Sequence, residues 1–220
     1  ATKVTGPMAY FNYIREDLGF SKKVLLEAVE ASLKRLQTDY IDLYQLHWPE
    51  RNVNFFGVRN YSHKKDEAWN DNFEQVVESL DELVKQGKIR HYGVSNETPW
   101  GLMRHLSESD KKGLTRCKTV QNPYSLLNRT YEMGLSEVGM REEVGLLAYS
   151  PLAFGVLSGK YLNGQLPENS RLKLFPAYSR YSNEQALKLT SLYADLAKEN
   201  NMSLAQMSLA FVNQRDFVMA

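Results

Sequence analysis

Two nitrogen-bearing side chains stand at the ends of apolar, strand-like runs. Lys3 lies in Ala1-Thr2-Lys3-Val4-Thr5, just ahead of Gly6-Pro7, and His47 closes the run Tyr40–Leu46 ahead of Trp48-Pro49. A partly desolvated lysine can form a Schiff base, or can depress the pKa of a neighbouring acid such as a tyrosine. A solvated lysine at a strand end fits its position equally well. A neutral imidazole can donate a hydrogen bond to a substrate carbonyl; a packed histidine satisfied by backbone is the plainer reading. The recurrence of both at equivalent strand ends favours chemistry.

Further polar residues repeat the pattern. Ser95-Asn96 ends the run Ile89–Val94, and Gln121-Asn122 ends Lys118–Gln121. Hydroxyl and amide groups converging there can both donate and accept, which suits a carboxamide ligand; singly, each asparagine reads as a turn or cap. Tyr149-Ser150-Pro151-Leu152-Ala153-Phe154-Gly155 opens a long loop. A strand-end tyrosine offers a flat face for stacking on a ring. Gly155 and Gly159 permit close backbone approach to phosphates, and Lys160 and Arg171 add positive charge. Together these fit an anionic dinucleotide. His63, His91, His105 and Cys117 show no metal-ligand spacing, and no metal is expected.

The elements that must position these residues alternate. Strands are expected at 1–5, 40–47, 89–95, 118–121, 144–150 and 217–220, several of them continuous apolar runs of the kind buried on both faces. Between them, Val24, Leu25, Ala28, Val29, Leu33 and Leu36 mark one helical stripe, and Phe73, Val76, Val77, Leu80 and Leu83 another. Asn72/Gln75, Ser182/Gln185 and Ser203/Gln206 resemble capping boxes, and Thr98-Pro99 a cap with proline at the first helical position. Two connections, about 48–71 and about 151–181, are long for simple turns. Such alternation implies a parallel sheet. No Gly-rich dinucleotide fingerprint follows a strand, which weakens a doubly wound fold. The expectation is α/β: a TIM-type (β/α)8 barrel, one domain over 1–220, with about six of the eight strands present. A barrel lacking its first two strand–helix units and last helix accounts for a chain that starts and stops within strands.

Composition bounds the rest. The chain has 220 residues, 43% hydrophobic and 24% charged, with formal net charge +1. So balanced a charge offers no strong counterion-release term for nucleic acid. No apolar run is long enough for a membrane span. The lone Cys117 can form no internal disulfide, so a reducing, cytoplasmic setting is expected.

The ordered segments Ala1–Val4, Arg35–Pro49, Gly87–Asn96, Gln121–Arg129 and Tyr149–Tyr161 are together specific. Through them the chain resembles the aldo-keto reductase superfamily, in its bacterial Tas-like branch, and more distantly the potassium-channel β subunits. The resemblance implies an eight-stranded barrel binding NADP(H) across its C-terminal face, and an oxidoreductase reducing aldehydes or ketones to alcohols by hydride transfer. A small-molecule carbonyl substrate is the implied partner. Lys3 matches the lysine that lowers the pKa of the catalytic tyrosine, and His47 the histidine that orients the carbonyl. Ser95, Asn96 and Gln121 match the carboxamide-binding residues, and Tyr149 the aromatic that stacks on the nicotinamide. Ser150, Leu152, Gly155, Lys160 and Arg171 match the loop that wraps the pyrophosphate and adenosine side. The family tetrad also uses an Asp and a Tyr upstream of the lysine, before this sequence starts. The chain is therefore expected to be the central portion of the enzyme. The alternative is a non-catalytic, cofactor-binding regulatory protein like the channel subunits.

Overall fold

The structure is a computed structural model that describes residues 1–58 and 60–220. The chain divides into two compact units. One comprises Ala1–Gln121 with Met140–Gly145, the other Asn122–Gly139 with Leu146–Ala220.

The first unit carries β1 (Thr2–Val4), α1 (Lys22–Leu36), β2 (Ile41–Leu46), α2 (Phe73–Lys85), β3 (Ile89–Ser95) and α3 (Pro99–Lys112). Strand β4 (Thr119–Pro123) and helix α4 (Leu135–Arg141) span the division. Then follow β5 (Gly145–Tyr149), the short α5 (Arg171–Leu174), α6 (Glu184–Glu199) and α7 (Leu204–Asn213). The sheet order is β1-β2-β3-β4-β5, and every pairing with a defined register is parallel. Sequential parallel order with helical crossovers is the pattern of the (β/α)8 class. The expected sixth strand is reduced to one parallel bridge, Leu146 with Val218, flanked by Leu146 N–H to Phe217 O at 2.8 Å.

The apolar stripes form the helix–sheet layers much as their periodicity predicts. Val24, Leu25, Ala28, Val29 and Leu33 of α1 are buried, as are Phe73, Val76, Val77, Leu80 and Leu83 of α2. Val4, Tyr44, Leu46, Tyr92, Val94 and Val120 form the buried outward face of β1 to β4, with α1 against β1 and α2 against β3. Leu36 is a correction: it is 54% exposed, because it lies in the last turn and Gln37 then adopts a left-handed conformation (φ 53°) that ends the helix. In the second unit a separate core gathers Ala153, Val156, Leu157, Tyr161, Tyr181 and Leu204.

Two capping boxes are corrected. The Asn72 side chain caps nothing; its amide donates to Glu50 Oε2 at 2.7 Å, and Gln75 reaches Phe20 O and Ser79 instead. At α6 the cap is Asn183, which accepts from Ala186 N–H at 3.0 Å, rather than Ser182. Thr98 caps α3 through Gly101 N–H, and the Ser203/Gln206 box at α7 is complete. The long 151–181 connection is not structureless. It contains 3-10 turns at Ala153–Ser158 and Leu162–Gly164 as well as α5.

Candidate active site

Strand register brings the sequence-predicted residues of the first unit to one face. Lys3 pairs with Gln45, Gln45 with Gly93, and Gly93 with Thr119. In-register residues of parallel strands share a face, and so do residues two apart along a strand. Lys3, Gln45 and Thr119 therefore point to the same side as His47, Ser95 and Gln121, one pleat further on. Ser95 and Gln121 are themselves a register pair. Val4, Leu46, Val94 and Val120 take the other side, against the helices. The strand ends thus carry a polar face on a sheet whose opposite face is a hydrocarbon layer.

Lys3 Nζ donates to Gln121 Oε1, spanning the width of four strands. Burial lowers the lysine pKa from its ordinary value. The His47 backbone is fixed by its N–H to Val4 O at 3.0 Å and by its carbonyl, which accepts from Asn96 Nδ2 at 2.9 Å. Burial, and then the nearby Lys3 charge, push the His47 pKa down to about 4. The ring is therefore neutral at pH 7 and able to act as a donor without becoming a cation. Asn96 takes a left-handed conformation (φ 55°), which asparagine tolerates, and its amide also reaches Ser95 Oγ at 3.1 Å. Thr5 Oγ1 and Gln45 Nε2 are buried without hydrogen-bond partners. Orphaned polar atoms on this same face fit a site that receives a polar ligand.

Gly6 follows directly. A Cβ there would stand 2.5–2.7 Å from the Trp48 ring and carbonyl, so only glycine lets the β1 exit pass the residue after His47. Trp48 is buried, with its ring 4.5 Å from His47 and 5.3 Å from Phe11.

In the second unit, Ser150, Ala153, Phe154, Gly155 and Gly159 all have positive φ. So many left-handed residues coil the segment after β5 tightly. At Gly155 (φ 91°) an added Cβ would meet Lys160 Cε and Nζ at 3.1 and 3.2 Å. Arg171 and Arg180 lie 5.3 and 5.4 Å from the centre of the Phe154 ring, and Arg171 is 5.2 Å from Tyr178. Among the described residues none of Lys160, Arg171 and Arg180 makes an ion pair. Three cations held by aromatic rings and not neutralised by carboxylates fit an anionic group. Leu152 packs against the local core. Burial raises the Tyr149 pKa, opposed by a hydrogen bond from Arg180.

Two further groups carry little signal in the sequence. Nothing local ties Arg180, a loop arginine, to Tyr149; the basic character of the loop is its only signal. Arg51 and Glu97 form a buried ion pair just beyond His47 and Asn96, with Arg51 Nη1 to Glu97 Oε2 at 3.1 Å. Gly101 accommodates it: a Cβ there would overlap both side chains. No group of three His, Cys, Asp or Glu among the described residues can hold a metal, and no helix among them is long and apolar enough to cross a membrane.

A sequential parallel α/β sheet with a lysine and a neutral histidine at its strand ends defines a class, and the chain belongs to the Aldo/keto reductase family, which it matches over residues 1–220. The family fold is the (β/α)8 barrel, and this chain supplies a consecutive run of its strands. Among its relatives is the protein Tas of Escherichia coli, 49% identical over 224 residues, covering 99% of this chain and 63% of Tas. An aldo-keto reductase of Babesia bovis is 38% identical over 99% of this chain and 81% of its own length. The L-glyceraldehyde 3-phosphate reductase of E. coli is 31% identical over 91% of this chain and 54% of that enzyme. The chain thus spans slightly less than two thirds of the Tas length.

Proposed function

We propose that residues 1–220 serve as one aldo-keto reductase domain in an NADP(H)-dependent oxidoreductase that reduces aldehydes or ketones to alcohols. The observation that carries this reading is the convergence of Lys3, His47, Ser95 and Gln121 on one polar face, with His47 held neutral. A hydrogen-bond donor aimed where negative charge develops on a carbonyl oxygen is worth several kcal/mol in a dry site. His47 is that donor, and its fixed backbone aims it. Lys3 supplies the positive charge that favours the ionised form of a neighbouring proton donor. NADP(H), when bound, supplies the hydride. The family resemblance assigns Ser95, Asn96 and Gln121 to its carboxamide, Tyr149 to stacking on its ring, and Ser150, Leu152, Gly155, Lys160 and Arg171 to the phosphate side. The glyceraldehyde 3-phosphate reductase name of one relative and the methylglyoxal reductase name of another support a small carbonyl substrate.

Fluorescence titration with NADPH tests the reading. Wild-type protein should bind saturably, and Arg171→Ala should weaken binding by on the order of 1–3 kcal/mol, the range for a charge-assisted hydrogen bond. Unchanged affinity in Arg171→Ala at low and moderate salt would remove the phosphate role. Absence of NADPH binding by the wild-type protein would remove the cofactor reading.

A further inference from the structure

We infer that the connection between β2 and α2 builds a second small-molecule site, separate from the catalytic face, for an uncharged planar aromatic molecule. A cavity of about 560 Å³ opens there, lined by Arg51, Tyr61, Trp69, Thr98 and Trp100 together with the 52–54 segment. Its volume is in the range that houses small organic ligands. None of Lys3, His47, Ser95, Asn96 or Gln121 lines it.

The walls select the ligand. Three large aromatic side chains face the space, two of them tryptophans, and Trp100 remains 53% exposed at the start of α3. A tryptophan so exposed has ring area to cover, and a flat ligand covers it by stacking. The Trp69 indole N–H is already directed to Asn72 Oδ1 at 3.3 Å, which leaves that side chain to act through its ring.

Charge narrows the choice further. Arg51 is the cation of the floor, but Glu97 neutralises it and Thr98 Oγ1 takes another of its hydrogens at 3.1 Å. Its guanidinium also lies 5.0 Å from the centre of the Trp100 ring. An anionic ligand therefore finds no unengaged cation in the floor, and it meets the Glu67 carboxylate in the wall. A cationic ligand finds no unengaged carboxylate either, since Glu97 is paired with Arg51 and Glu67 accepts from Asn52 N–H. An uncharged ring system suffers neither cost.

The loop is tied shut across its own base. Asn52 N–H donates to Glu67 Oε1, and Asn52 Nδ2 donates to Ser62 O at 2.6 Å. Tyr61 Oη lies 3.1 Å from His63 Nδ1. The two Asn52 bonds join the limbs of the 26-residue connection around the cavity.

Equilibrium dialysis of coumarin, an uncharged two-ring probe, against the full chain tests it, with tryptophan emission as a second readout. Saturable binding with quenched emission is expected. Trp100→Ala should raise the Kd about tenfold, the scale of one lost stacking partner. Val53→Trp, which fills the space, should abolish binding while the far-ultraviolet circular dichroism stays native. His47→Ala should leave the Kd unchanged, and 1-naphthalenesulfonate should bind at least about tenfold more weakly than coumarin. No saturable binding, or binding lost in His47→Ala and kept in both Trp100→Ala and Val53→Trp, would overturn the proposal.

Discussion

Lys3 on β1 and Gln121 on β4 are joined by a direct hydrogen bond, ammonium to amide oxygen, although 118 residues separate them in the chain. The contact exists because the register of four parallel strands aligns their inward residues. It also leaves a half-buried cation with an uncharged partner, and burial accordingly lowers the lysine pKa. A buried charge deprived of its partner costs more than the pair itself contributes. Gln121→Leu should therefore destabilise the protein by about 1–3 kcal/mol. In a double-mutant cycle with Lys3→Met, the double variant should be less destabilised than the sum of the singles. Additive urea denaturation energies would show that the bond contributes nothing.

The buried histidines set an acid limit on stability. Burial and neighbouring cations lower His47 to about 4 and His105 to about 3. In the unfolded chain both titrate near the ordinary value of about 6.5. The unfolded state then binds more protons than the folded state between these values, so stability is present above about pH 6.5 and is lost as pH falls toward 4 and 3. His105→Phe should flatten this slope, because His105 lies among Phe73, Arg51 and Arg104 and has no partner on Nδ1. The check is the urea midpoint at several pH values from 7 to 4; identical slopes for wild type and variant would refute it.

The Arg51–Glu97 pair allows a sharper test of packing. Both side chains are at least nine-tenths buried, and the Gly101 backbone lies against them. Arg51→Ala should cost roughly 3–5 kcal/mol, the range for leaving one buried charge alone. Gly101→Ala should also destabilise, since its Cβ would overlap Arg51 and Glu97. If thermal melting shows Arg51→Ala as stable as wild type, the pair is not formed in solution.

Which of these features could be read from the sequence follows from the range of the interactions. Strand ends and the α1 and α2 stripes were legible because burial repeats at a fixed period. The Ser203/Gln206 box was legible because both partners are three residues apart. The Asn72/Gln75 box has the same spacing and fails, because Glu50 and Phe20 compete for those amides from elsewhere in the chain. The Arg51–Glu97 pair and the Arg180–Tyr149 contact are long-range in the same way, and no local spacing announces them. The last apolar run does reach its neighbour: around the Leu146–Val218 bridge, Leu146 N–H donates to Phe217 O and Met219 N–H to Leu146 O, both at 2.8 Å.

Arg180 and Tyr149 provide the last test. Tyr149 is the proposed stacking surface for the nicotinamide, and Arg180 donates to it while resting 5.4 Å from Phe154 and 5.8 Å from Tyr181. The arginine therefore locks the orientation of the tyrosine, and it adds charge beside Lys160 and Arg171. If orientation dominates, Tyr149→Phe, which loses the hydroxyl and keeps the ring, should weaken NADPH binding nearly as much as Arg180→Ala. If charge dominates, Arg180→Ala should be the more harmful and its deficit should shrink as salt rises, since screening weakens the phosphate attraction in the wild type as well. The half-buried setting of Arg180 and its ring contacts favour orientation. The expectation is a salt-independent loss of about 1 kcal/mol in both variants, one neutral hydrogen bond. NADPH titrations at two salt concentrations decide between them. A Tyr149→Phe variant that binds as tightly as wild type would show that the Arg180 contact does not position the ring.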